Sequence, residues 1–219
     1  MSKLGKKLIA AAKERGMRDL TPLCLLAKKH STDKGGRHLT YDGDYCEGTH
    51  EYTPVYWDLF GRRREKVKSV LEIGINRGCS LDMWEEFFPN ADIIGLDIDP
   101  ATLINRGRIK SFYADAGNDH SLRNAIQQVA PILPFDLIID DGSHSVDHQI
   151  AAIKLLPEFL SEDGVLVIED LSHHGQPAGT IGMHTPEGFF WKEITCEPGV
   201  GRANRPESLI IVQRIPVEA

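Results

Sequence analysis

From residue 69 onward, short apolar runs alternate with longer segments of mixed polarity, and this alternation limits the possible folds more than any other feature. The runs predict strands over 69–73, 92–97, 110–113, 135–139, 164–168 and 208–212, with helices over 80–88, 100–106, 121–130 and 146–160. Leu137, Ile138 and Ile139 are typical of a central parallel strand that is buried on both faces. We therefore predict an α/β fold with a doubly wound, Rossmann-like sheet and helices on both faces.

The N-terminal part of the chain does not follow this alternation. A basic, Ala-rich helix is predicted over 1–18, and Thr21-Pro22 predicts the start of a second helix because Thr caps helices and Pro suits their first position. The polar segment 31–51 is too long for an ordinary connection, and its aromatic and histidine residues favour a lid over a disordered linker. Thr53-Pro54 repeats the helix-start signal.

Length and charge limit the domain count and the class of partner. A chain of 219 residues, 41% of them hydrophobic, is long enough for one well-buried core. We expect N-terminal helices and a lid over 1–62 and a Rossmann-like domain over 63–219, which together form one compact unit. The formal net charge of -7 argues against nucleic acid as the partner and favours small molecules.

Cysteine spacing and hydropathy indicate the compartment. The four cysteines are widely spaced and form no C-x-x-C pair, so neither a zinc knuckle nor a disulfide framework is predicted. The apolar run near the N-terminus is shorter than a signal-peptide core, and no later segment approaches the length of a membrane span. We expect a cytoplasmic protein.

Two glycines four residues apart follow the first predicted strand. Gly74 is suited to a tight turn and Gly78 to a close approach of the backbone to a ligand. The dinucleotide fingerprint G-x-G-x-x-G is not met, because Asn76 and Cys79 stand where glycines are required, and a nicotinamide cofactor is therefore disfavoured. A purely structural turn is the alternative.

Polar residues near this turn are candidates to hold a nucleoside cofactor. Asp97 ends the second predicted strand about 20 residues beyond the first glycine, where a carboxylate can accept both ribose hydroxyls. Asp99 either competes for this role or caps the next helix. Ser80, at the start of the first helix after the turn, either meets a carboxylate of the cofactor or simply caps the helix.

Pairs of acids end two of the predicted strands. Asp140 and Asp141 follow one strand, and Glu169 and Asp170 follow the next. Strands joined through one helix are usually parallel neighbours about 4.8 Å apart, so Asp141 should lie close to the second pair. Three carboxylates at one rim would repel, and an all-oxygen cluster favours Mg²⁺, with Mn²⁺ or Ca²⁺ as alternatives. Helix capping by these acids is the competing interpretation.

His144 lies three residues beyond Asp141 and is suited to act as a general base, because histidine titrates near neutral pH. His144 and His148 also form H-x-x-x-H, but Ser145 stands where the Glu of a zinc protease would be, so zinc is disfavoured. Asp140 either orients the cofactor or only shapes the turn. His173 and His174 either line an acceptor pocket or lie on the surface.

Taken together, these motifs resemble the metal-dependent sugar O-methyltransferases of macrolide and related glycoside antibiotics, also labelled cephalosporin-hydroxylase-like, among the class I S-adenosylmethionine-dependent methyltransferases. The resemblance runs from about residue 31 to 170. It is carried by Ser31-Thr32-Asp33-Lys34, His50-Glu51-Tyr52-Thr53-Pro54-Val55-Tyr56, the glycine turn with Glu72, Asp140-Asp141-Gly142-Ser143-His144 and Ile168-Glu169-Asp170-Leu171.

The resemblance implies S-adenosylmethionine as the cofactor and Mg²⁺ bound by Asp141, Glu169 and Asp170, with His144 as the base. It also implies that the segment 31–56 folds over the cofactor and that the enzyme is a homo-oligomer. The residues that we expect at the cofactor are Glu72, Gly74, Asn76, Gly78, Ser80, Asp97, Asp115 (beside the adenine amino group), Asp140 and Thr53.

Three functions follow as hypotheses. The leading one is a Mg²⁺-dependent O-methyltransferase that acts on a sugar or vicinal-diol hydroxyl of a small molecule or glycoside, with His144 and Asp141 as catalytic residues. The second is an N- or O-methyltransferase of an amino-sugar. The third is a non-catalytic S-adenosylmethionine-binding module in which the acids only close the sheet.

Overall fold

The structure, a computed structural model, describes residues 21–35, 50–171, 178–196 and 207–216. The helices in these ranges are α1 Pro22–His30, α2 Tyr52–Phe60, α3 Cys79–Phe87, α4 Asp119–Gln128, α5 Val146–Leu155 and α6 Ala178–Gly182. The strands are β1 Ser69–Ile73, β2 Asp92–Asp97, β3 Ile109–Tyr113, β4 Phe135–Asp140, β5 Leu160–Ile168, β6 Phe189–Thr195 and β7 Ser208–Arg214. Short 3-10 helices cover Pro100–Thr102, Ala130–Ile132 and Leu156–Phe159.

The seven strands form one sheet in the order β3-β2-β1-β4-β5-β7-β6. Strands β1 to β5 are parallel, whereas β7 runs antiparallel to both β5 and β6. The strand order reverses between β1 and β4, and in open α/β sheets such a switch point opens a crevice at the carboxyl ends of the strands. The predicted doubly wound α/β sheet is confirmed.

Each face of the sheet has its own apolar cluster. Val70 belongs to the cluster that includes residues of α1, α2 and α3, and the next residue, Leu71, belongs to the cluster with α4, α5 and α6. This follows from the alternation of side chains along a strand, here with both faces covered. Trp84 of α3 and Tyr56 of α2 are buried in the first cluster, so α1 and α2 pack on the same face as α3.

Several predicted boundaries are wrong in detail. Thr53 does not begin a helix: α2 begins at Tyr52, and its N-cap is Glu51. The helix predicted over 100–106 is only the 3-10 turn Pro100–Thr102. The helix predicted over 146–160 ends at Leu155, because Pro157 cannot supply the amide that would continue the α-helical hydrogen bonds.

Strand β6 was not predicted. The segment reads as an irregular, aromatic-rich stretch, and β6 lies at the edge of the sheet, where none of its side chains is buried. An edge strand of this kind lacks the continuous apolar run that identified β4.

Within the ranges that the structure describes, no helix has both the length and the apolar character needed to cross a membrane.

Candidate active site

A cavity of about 820 Å³ opens at the carboxyl ends of β1, β2, β4 and β5. Its walls include the glycine turn after β1, the ends of β2 and β3, the acids after β4 and β5, and residues 31–34 of the segment after α1. This is the place that the switch point of the sheet provides for a ligand. The volume is in the range of sites that bind cofactors and other small molecules.

The glycine turn is held against β4. Gly74 has φ +93, and a Cβ atom there would lie 2.1 Å from the backbone oxygen of Asp141, so only glycine fits. Gly78 has φ +77 and is the N-cap of α3, and a Cβ there would meet Ile104 Cδ1 at 2.2 Å. Gly74 and Asn76 line the cavity, whereas Gly78 does not. The group that comes close to the backbone of Gly78 is the side chain of Ile104 and not a ligand.

Asp97 and Asp115 both line the cavity, at the ends of β2 and β3. Asp97 Oδ2 accepts hydrogen bonds from the backbone amides of Ile75 at 2.7 Å and Asn76 at 3.2 Å, so this carboxylate also shapes the glycine turn. Asp99 Oδ1 accepts a hydrogen bond from the amide of Ala101 and caps the 3-10 helix. Of the two acids considered for the ribose, Asp97 lines the cavity and Asp99 does not.

Three other residues expected at the cofactor, Glu72, Thr53 and Asp140, do not line the cavity. Glu72 is fully buried, and Ser80 Oγ donates to its Oε2 at 2.8 Å, so Ser80 does not cap α3. Thr53 is fully buried and donates to Cys24 Sγ at 3.0 Å. Asp140 is also buried and accepts from the amide of Gly142, as expected of a residue that shapes the turn.

Asp141, His144 and Asp170 come together at the cavity. One potential ligand atom of each lies within 4.8 Å of the other two, and His144 Nε2 is 3.6 Å from Asp170 Oδ2. His144 and Asp170 both have φ 56, in the left-handed region that costs most non-glycine residues energy. His144 precedes α5, so His144 and His148 do not share a helix face, and His148 Nδ1 instead pairs with Ser143 Oγ at 2.7 Å.

Asp170 is held by residues from the start of α2. Tyr52 Oη donates to Asp170 Oδ1 at 2.6 Å, and His50 Nδ1 lies 3.0 Å from the same oxygen. Burial alone would lower the pKa of His50, but its bonds to Asp170 and Asp33 raise that pKa to about 10, and His50 is therefore a cation at neutral pH. Burial would raise the pKa of Asp170, but the bond to His50 holds it below its usual range, so Asp170 is ionised.

Glu169 also lines the cavity, and buried hydrogen bonds hold both of its carboxylate oxygens. Tyr56 Oη donates to Glu169 Oε1 at 2.6 Å, and Lys34 Nζ donates to Glu169 Oε2. Lys34 Nζ also donates to Asp141 Oδ2 at 2.5 Å and lies 3.3 Å from Glu72 Oε1. Burial raises the pKa of Glu169 to about 8, against the opposing effect of Lys34, and Asp141 adds to the rise.

The acids after β4 and β5 thus already hold one cation. Asp141 and Glu169 lie close together, as parallel neighbours should, and the Lys34 ammonium stands between them. This shows that the two carboxylates can share a cation, and Asp141 and Asp170 offer oxygens on the cavity side. Asp141, His144 and Asp170 have ligand atoms close enough together to hold a divalent ion, and Glu169 lines the same cavity. The ligand set of Asp141, Glu169 and Asp170 stays a prediction.

Lys34, His50, Tyr52 and Tyr56 were not predicted as site residues. They lie in the quoted motifs, but the residues that they contact are about a hundred positions away along the chain. Only the unusual concentration of polar and aromatic residues between 31 and 56 signalled a role. His173 and His174 lie outside the described residues.

No protein-family model matches the sequence, but individual proteins do. The 8-demethyl-8-alpha-L-rhamnosyl tetracenomycin-C 2'-O-methyltransferase of Streptomyces olivaceus is 32% identical over 180 residues, which is 79% of this chain and 43% of that protein. The mycinamicin VI 2''-O-methyltransferase of Micromonospora griseorubida is 30% identical over 178 residues, which is 78% of this chain and 43% of that protein.

A solved structure is also similar. The MycE methyltransferase from the mycinamycin biosynthetic pathway, in complex with Mg, SAH and mycinamycin VI, matches with a TM-score of 0.59 and 29% identity over 81% of this chain. The match covers 47% of that protein. The chain therefore spans less than half the length of each of these three proteins.

Proposed function

Because the chain has the fold of the class I methyltransferases and is homologous to sugar O-methyltransferases of antibiotic pathways, we propose that it methylates a sugar hydroxyl of a small-molecule glycoside. The methyl donor in this proposal is S-adenosylmethionine, and the reaction depends on Mg²⁺. The observation that carries the proposal is the meeting of Asp141, His144 and Asp170 in the same cavity as the glycine turn.

The cofactor would lie along the carboxyl ends of β1 to β3. Gly74, Asn76, Asp97 and Asp115 all line the cavity. We assign Asp97 to the ribose hydroxyls and Asp115 to the adenine amino group. Ser80 also reaches the cavity wall, but its hydroxyl donates to Glu72, so we assign these two residues to the support of the turn. Thr53, Gly78 and Asp140 are likewise assigned to support.

The metal ion would be held by Asp141, Glu169 and Asp170. When bound, Mg²⁺ would orient the acceptor hydroxyl and make its proton more acidic. His144 Nε2 faces Asp170 and the cavity, and we assign to it removal of the hydroxyl proton. Asp170 would stabilise the resulting imidazolium, since it is an ionised carboxylate 3.6 Å away. As a ligand of the ion, Asp141 would help to hold the acceptor in position for methyl transfer.

The test is methyl transfer from labelled S-adenosylmethionine to a panel of rhamnosides and other glycosides, with Mg²⁺ or with EDTA. We expect product only with Mg²⁺, and no metal-dependent product on any glycoside or diol would refute the proposal. An amino-sugar in the panel tests the alternative acceptor. Calorimetry with S-adenosylmethionine, with and without Mg²⁺, distinguishes an enzyme from a module that only binds the cofactor.

The His144→Ala variant tests the general base. We expect kcat to fall by roughly 10²–10⁴-fold, the usual contribution of general-base catalysis, while the Kd for S-adenosylmethionine changes little. His120→Ala is the matched control, because His120 is exposed on α4 and does not line the cavity. Equal losses of turnover and cofactor affinity in His144→Ala would contradict the assignment.

We propose a cytoplasmic homo-oligomer that does not bind nucleic acid. The net charge of -7 and the free thiols of Cys79 and Cys196 support this. Light scattering of the purified protein measures the subunit number directly.

A further inference from the structure

Lys34 is the buried cation of the site. Its side chain is only 2% exposed, and its ammonium group faces three carboxylates, those of Glu72, Asp141 and Glu169. When all three acids are ionised, these four groups carry a formal charge of -2, which one lysine does not neutralise. Buried carboxylates that lack a compensating charge are costly, and this cluster therefore attracts further positive charge.

Both carboxylate oxygens of Glu169 already accept a hydrogen bond. Its Oε1 accepts from Tyr56 and its Oε2 accepts from Lys34. A Mg²⁺ ion requires about 2.1 Å to each oxygen ligand, and an ion at Glu169 Oε2 and Asp141 Oδ2 would occupy the space of the ammonium group. If Glu169 is a ligand, as the proposed function has it, the ion and Lys34 must exclude each other.

We propose that Lys34 is a tethered cation that holds the metal position in the metal-free protein, and that a divalent ion binds by displacing its ammonium group from Asp141 and Glu169. Lys34 is then a positioning residue: it keeps the two carboxylates together before the ion arrives. The inference rests on the proposed metal site but makes no assumption about the methyl acceptor.

Glu72 provides a place for the displaced ammonium. Glu72 Oε1 is already 3.3 Å from Lys34 Nζ, and among the described residues this buried oxygen accepts no well-formed hydrogen bond. The flexible stem of lysine allows the short movement from Glu169 to Glu72. Lys34 thus keeps a carboxylate partner after exchange, and Glu72 gains a donor in the strand that leads into the glycine turn.

The main chain at Lys34 is held firmly while its side chain moves. The amide of Thr53 donates to the Lys34 carbonyl at 3.0 Å, and the amides of His50 and Glu51 donate to the carbonyls of Asp33 and Gly35. These bonds attach the segment to the start of α2, which also supplies Tyr52 and Tyr56 to the acids. The exchange is therefore a movement of one side chain within a fixed frame.

The first experiment compares Lys34→Met with wild type by calorimetric titration with Mn²⁺ after EDTA treatment. Removing a positive charge a few ångströms from the ion should tighten Mn²⁺ binding about tenfold or more. In EDTA, the Tm of the variant should be lower than that of wild type. Addition of Mn²⁺ should raise the Tm of the variant by more than it raises that of wild type. Lys66→Met removes the same charge from an exposed position, and its Mn²⁺ affinity should stay within about twofold of wild type. Unchanged or weaker Mn²⁺ binding by Lys34→Met would overturn the proposal.

The second experiment uses the wild-type protein, so it does not depend on how the variant folds. Crystal structures with Mn²⁺ and with EDTA should show Lys34 Nζ on Glu72 when the ion is bound and on Asp141 and Glu169 when it is absent. Mn²⁺ bound with Lys34 still on both acids would overturn this inference alone. No Mn²⁺ in either protein would overturn it together with the proposed metal site, whereas displacement without methyl transfer would refute only the proposed reaction.

Discussion

Replacing Tyr56 by Phe removes one hydroxyl group from the buried network and leaves the aromatic ring in place. Tyr56 and Glu169 are both fully buried, and the hydroxyl donates to Glu169 Oε1 at 2.6 Å. No water can replace the hydroxyl in this close-packed interior, so at pH 9, where Glu169 is ionised, the loss of unfolding free energy should approach the full value of a hydrogen bond to a charged group, about 1.5–3 kcal/mol. For a domain of this size, that corresponds to a decrease in Tm of roughly 3–12 °C.

The measurement is urea unfolding at pH 9 and 25 °C in EDTA, followed by circular dichroism. The urea slope should be unchanged, because the variant buries nearly the same surface. Tyr113→Phe is the matched control: Tyr113 is 52% exposed, and its replacement should change the free energy of unfolding by no more than about 0.5 kcal/mol. A loss below about 0.5 kcal/mol for Tyr56→Phe would refute the idea that Glu169 depends on this donor.

The pH dependence has a definite sign. Burial raises the pKa of Glu169 from 4.5 to about 8, so ionisation of this acid weakens the fold as pH rises through that interval. The Tyr56 hydroxyl bond lowers the pKa, and its removal raises the folded-state value further. The additional loss in Tyr56→Phe therefore develops near and above pH 8. We expect Tyr56→Phe to lose less unfolding free energy at pH 6 than at pH 9.

Three further results are expected. Asp97→Asn should weaken S-adenosylhomocysteine binding at least about tenfold by calorimetry, because the carboxylate shapes the glycine turn and faces the cavity. Thr53→Val should leave that affinity within about twofold, since Thr53 bonds Cys24 behind the wall, and a large loss would restore Thr53 as a cofactor residue. Cys79 lines the cavity, and burial and Asp82 raise its pKa, so its alkylation, followed by peptide mass spectrometry, should still accelerate above pH 9. Bound S-adenosylhomocysteine should slow this labelling, and the absence of protection would contradict the proposed cofactor position.

The buried charges of the site are paired within the chain. Asp170 is neutralised by His50, and Glu169 and Asp141 share Lys34. The three carboxylates that the sequence places at one rim would otherwise repel each other strongly. The chain thus supplies its own cations to a site that we propose accepts a divalent one.

The sequence alone determined the sheet and the position of its acids. A continuous apolar run such as Leu137 to Ile139 is typical of a central strand, and Asp140 and Asp141 follow that run, so the acids could be placed at the rim from the local sequence. Edge strand β6 lacked such a run and was not predicted. Helix ends near Pro157 depended on local backbone geometry and were placed only approximately.

Only the tertiary structure decided which groups surround those acids. Lys34 meets Asp141 across 107 positions of sequence, and Tyr56 meets Glu169 across 113. No local period or spacing records such pairs, because they arise when α1 and α2 pack on the sheet face beside α3. The apolar pattern therefore predicted where the charged groups gather, whereas the packing of the N-terminal segments decided which cation they hold.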